Sequence, residues 1–130
     1  MSEYGYVRPN PYATVASPAH PVRRPNAAPD DPIENQYRLT VDLRAVNNCT
    51  IPMQFPLPRL DLFTDIVAGA THFASIDLYN GYWQIPLHPD SQEYFSIKTD
   101  RGIFTPMRLI QGSKNAAGPF QAFITEALGD

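Results

Sequence analysis

Asp77 sits where packing alone would not put it. In "HFASIDL" (His72–Leu78) the residues alternate as a half-buried strand does, with Phe73, Ser75 and Asp77 on one face and Ala74, Ile76 and Leu78 on the other. Aspartate is depleted in strands, and an ionised carboxylate in an apolar setting is costly unless something pairs with it. The alternative is a turn role, because "YNG" follows at once and Asp and Asn are common there. Tyr82 lies five residues further on, in "GYWQI", a stretch apolar enough to be buried for packing alone. Arg38, Asp42 and Arg44 share "YRLTVDLR", Arg24 lies in "PVRRPN", and Gln111, Gly112 and Lys114 lie in "QGSK". A guanidinium stacks flat and forms forked bonds to phosphate, so these arginines are suited to an anionic ligand. Each also has a plainer reading as a solvated strand or loop residue.

The whole chain sets limits on that chemistry. Its 130 residues allow at most one domain, and a net charge of −3 leaves any nucleic-acid contact to local basic patches. The single cysteine, Cys49, excludes an internal disulfide framework, and three scattered histidines (His20, His72, His88) make no zinc-like cluster. No apolar run approaches membrane-spanning length and no signal segment is visible. These features predict a soluble, reduced, intracellular chain with no membrane partner.

The elements that must position the site follow from proline and apolar spacing. Seven of the fourteen prolines fall in residues 1–32, so this lead-in reads as extended segments and turns. "SPAHPVRRPN" could supply an edge strand and "NAAPDDPIENQ" a loop, although composition alone also fits a disordered leader. "YRLTVDL" is a strand. "PRLDLFTDIVAG" places Leu60, Phe63, Ile66 and Val67 at helical spacing after Pro58 and ends at Gly69. "HFASIDL" is the next strand, and "EYFSIKTDRGIFTPMRL" is a hairpin turning at "TDRG". In "GPFQAFITEALG", Pro119 suits a first helical position, and Phe120, Phe123, Ile124, Ala127 and Leu128 form an apolar stripe closed by Gly129. Helices and strands mix without strict βαβ alternation, which predicts an α+β fold. The last helix has nothing after it to pack against, which predicts that the chain is a fragment.

Taken together, these segments resemble the reverse transcriptases of gypsy-type LTR retrotransposon Pol polyproteins. "FASIDLYNGYWQIPLHPD" resembles the family's first catalytic motif, and "YRLTVDLRAVNNCTIPMQFPLPRLDLF" resembles its preceding strand and Pro-Leu-Pro helix. "YFSIKTDRGIFTPMRL" is similar to the following hairpin and "IQGSKNAAGPFQAFITEAL" to the loop and helix after it. "YGYVRPNPYATVASPAHPVRRPN" is similar to the lead-in, which the family folds into the domain. The resemblance implies a partial right-hand polymerase fold, fingers and incomplete palm, with a mixed or antiparallel sheet and packed helices. Residues 1–36 would be the lead-in with a fingers strand and loop, and residues 37–130 the fingers and palm portion.

The resemblance also assigns roles. Nucleotide addition is an in-line displacement at phosphorus in which two Mg²⁺ ions stabilise the attacking and leaving oxygens, and Mg²⁺ prefers oxygen ligands. Asp77 would be the catalytic, metal-ligating carboxylate, with the Leu78 carbonyl beside it. Tyr82 would lie under the incoming sugar and reject a 2′-hydroxyl. Arg38, Arg24 and Gln111 would bind the nucleotide; Gly112, Arg44 and Lys114 would contact template. The implied partners are an RNA or DNA template-primer and dNTP.

The sequence departs from the family in ways that matter. Ile110 and Ala117 replace usual prolines, and "QGSK" follows the retroviral rather than the gypsy form. No Tyr-x-Asp-Asp motif occurs, so two of the three catalytic carboxylates are missing and the 130-residue chain is expected to be inactive. An incomplete sheet would leave an apolar edge prone to self-association. The competing function is a non-catalytic nucleotide- or nucleic-acid-binding remnant of a retroelement; a metal hydrolase centred on Asp77 lacks other ligands.

Overall fold

Residues 5–56 and 59–129 are described in this computed structural model, the side chain of Leu60 excepted. The expected helix start at Pro58, the side chain of Leu60, the first four residues of the lead-in and Asp130 therefore lie outside the described residues. In chain order the elements are β1 (Val7–Pro9), β2 (Ser17–Arg23), α1 (Ile33–Gln36), β3 (Tyr37–Val41) and α2 (Arg44–Cys49). A 3₁₀ turn (Leu60–Leu62) then runs into α3 (Phe63–Ile66), and a second forms Gly81–Gln84. After these come α4 (Pro89–Gln92), a third 3₁₀ turn (Glu93–Phe95), β4 (Ile97–Thr99), β5 (Gly102–Pro106) and α5 (Ala117–Leu128). The strands form a five-stranded sheet in the order β1-β5-β4-β2-β3. The β2–β4 junction is parallel, with Ser17 opposite Ile97, and the other junctions are antiparallel. The fold is α+β with a mixed sheet, as the sequence predicts.

The proline-rich lead-in is part of this sheet, and Pro21 within β2 falls where no bond to β3 is lost. Asp42 N donates to Pro18 O at 3.0 Å and Arg24 N donates to Gln36 O at 2.8 Å. Antiparallel ladders alternate bonded and unbonded pairs, so Pro21, opposite Leu39, falls at an unbonded position. The hairpin turns where "TDRG" predicts: Gly102 has φ +120°, a conformation costly for any residue with a Cβ, and Thr99 Oγ1 donates to Gly102 O at 3.0 Å.

Two small apolar clusters hold the sheet. Leu43, Ile97 and Ile110 pack with Ala19, Val41, Trp83 and Phe95; Ile85, Leu109 and Ala116 pack with Tyr82, Leu87, Phe120 and Phe123. Between β1, β4 and β5 lies a satisfied polar network, in which buried Ser96 and Thr105 share a 2.8 Å hydroxyl bond and Asn10 Nδ2 donates to Thr105 Oγ1 at 3.0 Å.

Three expectations are corrected. The helix predicted through residues 58–69 is reduced to the short α3, with Phe63 57% and Ile66 75% exposed. Helical stability depends on packing an apolar face, and Phe63 and Ile66 join neither apolar cluster. The strand predicted for "HFASIDL" is irregular, and every residue from 71 to 80 is exposed. No described residue pairs with it, and alternation alone cannot hold an extended segment without a hydrogen-bonded neighbour. The last helix starts earlier than predicted, with Pro119 at its third position, and its far stripe is uncovered, Leu128 being 66% exposed.

Candidate functional site

Asp77 is exposed and makes no hydrogen bond or ion pair among the described residues. The turn that follows is not capped by its carboxylate: Asn80 sits at φ 50°, a left-handed conformation that asparagine tolerates, and no side chain caps Gly81–Gln84. Main-chain and amide bonds hold that turn instead. Trp83 N donates to Asn80 O at 2.8 Å, Gln84 Nε2 donates to Tyr79 O at 2.7 Å, and Arg108 Nη1 donates to Gln84 O at 3.1 Å. Leu109 N donates to Ile85 O at 2.9 Å, tying the turn to the segment after β5. Tyr82 is thereby held half-buried, its ring stacked on Phe120 of α5 with centroids 4.6 Å apart and planes 27° apart.

The loop carrying Gln111, Gly112 and Lys114 is pinned to the end of α2. Asn47 clamps it from both sides of its amide: Nδ2 donates to Gly112 O at 2.9 Å, and Lys114 N donates to Asn47 Oδ1 at 2.8 Å. Lys114 Nζ donates to Asn47 O at 3.2 Å and Thr50 O at 3.0 Å, placing its charge on the exposed carbonyls of the helix C-terminus. Asn115 accepts from Met53 N and donates to Ile51 O, both at 2.9 Å. Ile110, in place of proline, is 3% exposed within the core. The loop thus draws its anchoring from amide hydrogen bonds and one buried side chain. Gln111 is exposed at its tip, and Gly112, at φ +94°, holds a conformation that side chains resist.

The arginines divide between two situations. Arg38 on β3 is opposite Val22, and Arg24 follows one step past β2, opposite Gln36. Alternate residues of a strand share a face and opposed residues lie on the same side, so Arg24 and Arg38 are diagonal neighbours on one face. Both are exposed, on the side away from Ala19 and Val41 of the core. Arg44 instead forks onto Asp42, Nε to Oδ1 at 2.8 Å and Nη2 to Oδ2 at 2.6 Å. That fork, helped by the Arg44 backbone N–H, lowers the Asp42 carboxyl from the ordinary 3.8 to about 2. A depressed carboxylate contributes stability above its unfolded value and loses it as pH falls through the folded one, here between 3.8 and about 2. NMR titration of Asp42 is expected to give a midpoint near 2, and Arg44→Ala to raise it part of the way to 3.8, since the backbone bond at 3.2 Å stays.

Metal chemistry finds no finished site here. No group of three His, Cys, Asp or Glu side chains among the described residues is arranged to hold an ion, so Asp77 does not by itself fit a two-metal centre. A cavity of about 840 Å³ opens between α2, residues 85–95 and α5, lined by Val46, Met53, Leu87, Leu109 and Pro119. Of the site residues predicted from sequence it meets Lys114, and none of Asp77, Arg38, Tyr82 or Gln111 lines it. No helix is long and apolar enough to cross a membrane among the described residues.

Residues 25–130 match the family described as reverse transcriptase (RNA-dependent DNA polymerase). The chain belongs to the reverse transcriptase family. The retrovirus-related Pol polyprotein from transposon 412 of Drosophila melanogaster is 35% identical over 94 residues, covering 72% of this chain and 8% of that protein. An RNA-directed DNA polymerase homolog of Oenothera berteroana is 33% identical over 88 residues, 68% of this chain and 62% of that one. The crystal structure of prototype foamy virus protease-reverse transcriptase superposes with a TM-score of 0.71 at 26% identity, covering 97% of this chain and 16% of that one. The foamy viral protease-reverse transcriptase in complex with RNA/DNA hybrid gives 0.68 at 25% identity, over 95% and 15%. The chain thus spans under a tenth of the transposon polyprotein and about a sixth of the foamy virus chain.

Within this reverse transcriptase segment, the structure ties Gly112 and Lys114 to α2 with Gln111 exposed beside them, and brings Arg24 together with Arg38, while Asp77 stands apart on an unpaired stretch. Sequence reasoning missed Asn47. The only signal was two consecutive asparagines, Asn47 and Asn48, in a helical run where asparagine is a poor helix former and prefers to bond backbone.

Proposed function

We propose that the chain supplies the fingers and incomplete palm of an RNA-directed DNA polymerase, residues 1–36 as lead-in with a fingers strand and loop and residues 37–130 as fingers and palm. The observation that carries this reading is the family match over 25–130 joined to a fold likeness over 97% of the chain. Asp77 is the catalytic carboxylate of template-directed deoxynucleotidyl transfer. Its exposure and lack of any partner among the described residues support this role, because it is not kept for folding. Divalent Mg²⁺, when bound, would stabilise charge on the attacking and leaving oxygens, with Asp77 as one of its oxygen ligands. Arg24 and Arg38, side by side on an open face, take the triphosphate, and Gln111 borders the sugar. Gly112, Arg44 and Lys114 face the template. Arg44 keeps three of its five N–H donors beyond the two spent on Asp42, which suits this second use. The RNA/DNA hybrid of the foamy viral complex supports a template-primer as partner.

Two preparations test the reading. The 130-residue polypeptide, with one of three carboxylates, is expected to make no product in primer extension with template-primer, dNTPs and Mg²⁺. A chimera carrying residues 25–130 in place of the matching segment of the transposon 412 polyprotein is expected to copy RNA into DNA. Robust synthesis by the isolated chain, or a folded chimera unable to polymerise, would sink the proposal. The unpaired stretch 71–78, which leaves Phe73 and Ile76 largely exposed, also makes self-association the expected state of the isolated chain, with sedimentation rising with concentration. A monomer at every concentration would contradict this.

A further inference from the structure

We infer that Phe120 is a positioning residue for Tyr82, setting the ring against which the sugar of the incoming nucleotide is measured. This rests on the reading of Tyr82 given above and adds a residue on a different element. Two independent contacts carry it. The Phe120 ring stacks on Tyr82 at 4.6 Å and 27°, within the range where aromatic pairs attract. The same ring lies against the backbone of Gly81, where a Cβ would stand 2.9 Å from Phe120 Cε2 and 3.1 Å from Cζ. Glycine at 81 therefore admits the ring, and the ring in turn backs the tyrosine next door. Phe120 is itself anchored, since it packs on the cluster of Ile85, Leu109 and Ala116 and its N–H donates to Ala116 O at 3.2 Å. The wedge thus connects α5, at the end of the pinned loop, to the turn after Asp77.

The energetics favour a positioning role over plain filling. Tyr82 packs on the cluster of Ile85, Leu109 and Ala116, but the stack on Phe120 is the flat contact that sets the plane of its ring, and rejecting one hydroxyl depends on placing that ring to within a fraction of an ångström. Misplacing a group by about 1 Å costs on the order of a hundredfold in well-oriented sites. A residue that keeps bulk but loses its flat face should therefore relax sugar selection before it stops synthesis.

The test uses the same chimera and reads the ratio of kcat/KM for a dNTP to that for the matching rNTP. Phe120→Leu and Gly81→Ala are each expected to lower that ratio by roughly tenfold or more, Phe120→Leu by removing the stack and Gly81→Ala by pushing the ring away while keeping both aromatics. Tyr82→Ala is expected to lower it further. Ile124→Ala, one turn along α5, should leave it unchanged and so separates positioning from general loosening of the helix. If Tyr82→Ala moves the ratio and neither Phe120→Leu nor Gly81→Ala does, the positioning role is overturned while the reading of Tyr82 stands. If Tyr82→Ala leaves the ratio unmoved, or the unaltered chimera makes no DNA, the underlying reading fails and this inference with it.

Discussion

Ile97→Ala is expected to abolish the cooperative thermal melt of the chain, whereas Ile66→Ala should leave it within about 0.5 kcal/mol of the parent. The two side chains are chemically identical and differ only in place. Ile97 is 2% exposed at the centre of the sheet, on β4 between β5 and β2, and packs with Leu43 and Ile110. Ile66 is 75% exposed on α3. Emptying a buried isoleucine site costs about 2–5 kcal/mol, the lost transfer energy plus the cavity left behind. Single domains of ordinary stability have only about 5–15 kcal/mol in reserve. The buried hydrophobic side chains described here are few (Val7, Leu43, Ile85, Ile97, Leu109, Ile110 and Ala116), so this chain should lie low in that range. Circular dichroism melts of both variants decide the point. Equal effects would mean that the stability of the chain does not reside in the sheet.

The sheet was legible in the sequence wherever its signals were local. "YRLTV" alternates and forms β3, "TDRG" turns with Gly102 at positive φ, and the stripe of "FQAFITEAL" forms most of α5. The lead-in became legible only through resemblance, since proline content alone also fits disorder; what decides is that Pro21 falls at an unbonded ladder position, a fact of register that composition does not hold. "HFASIDL" shows the opposite failure. Its alternation is as regular as that of β3, yet a strand is a property of two segments, and residues 71–78 meet no partner among the described residues. The site follows the same division. Residue types at Asp77, Arg38 and Tyr82 could be read directly, whereas the Asn47 clamp and the Phe120 wedge depend on contacts between residues 65 and 38 positions apart. Phe120 was visible only as one apolar position of a helix, and nothing in its spacing distinguishes the ring that meets Tyr82 from its neighbours.

Asp77→Asn carries the largest expected effect on activity. The substitution keeps the shape of the side chain and removes its charge, and Asp77 is exposed without a partner among the described residues, so the fold should not notice. The proposed role uses that charge, because a neutral amide is a poor ligand for a hard divalent cation. Losing several kcal/mol of charge stabilisation at the reacting phosphorus corresponds to about a thousandfold or more in rate. Primer extension on an RNA template by the chimera carrying residues 25–130, run on the parent and on its Asp77→Asn variant with folding of both checked by their melts, is the most direct test of the account. The account predicts DNA synthesis by the parent and a loss of about a thousandfold or more in the folded Asp77→Asn form; synthesis at an undiminished rate by that variant would contradict it.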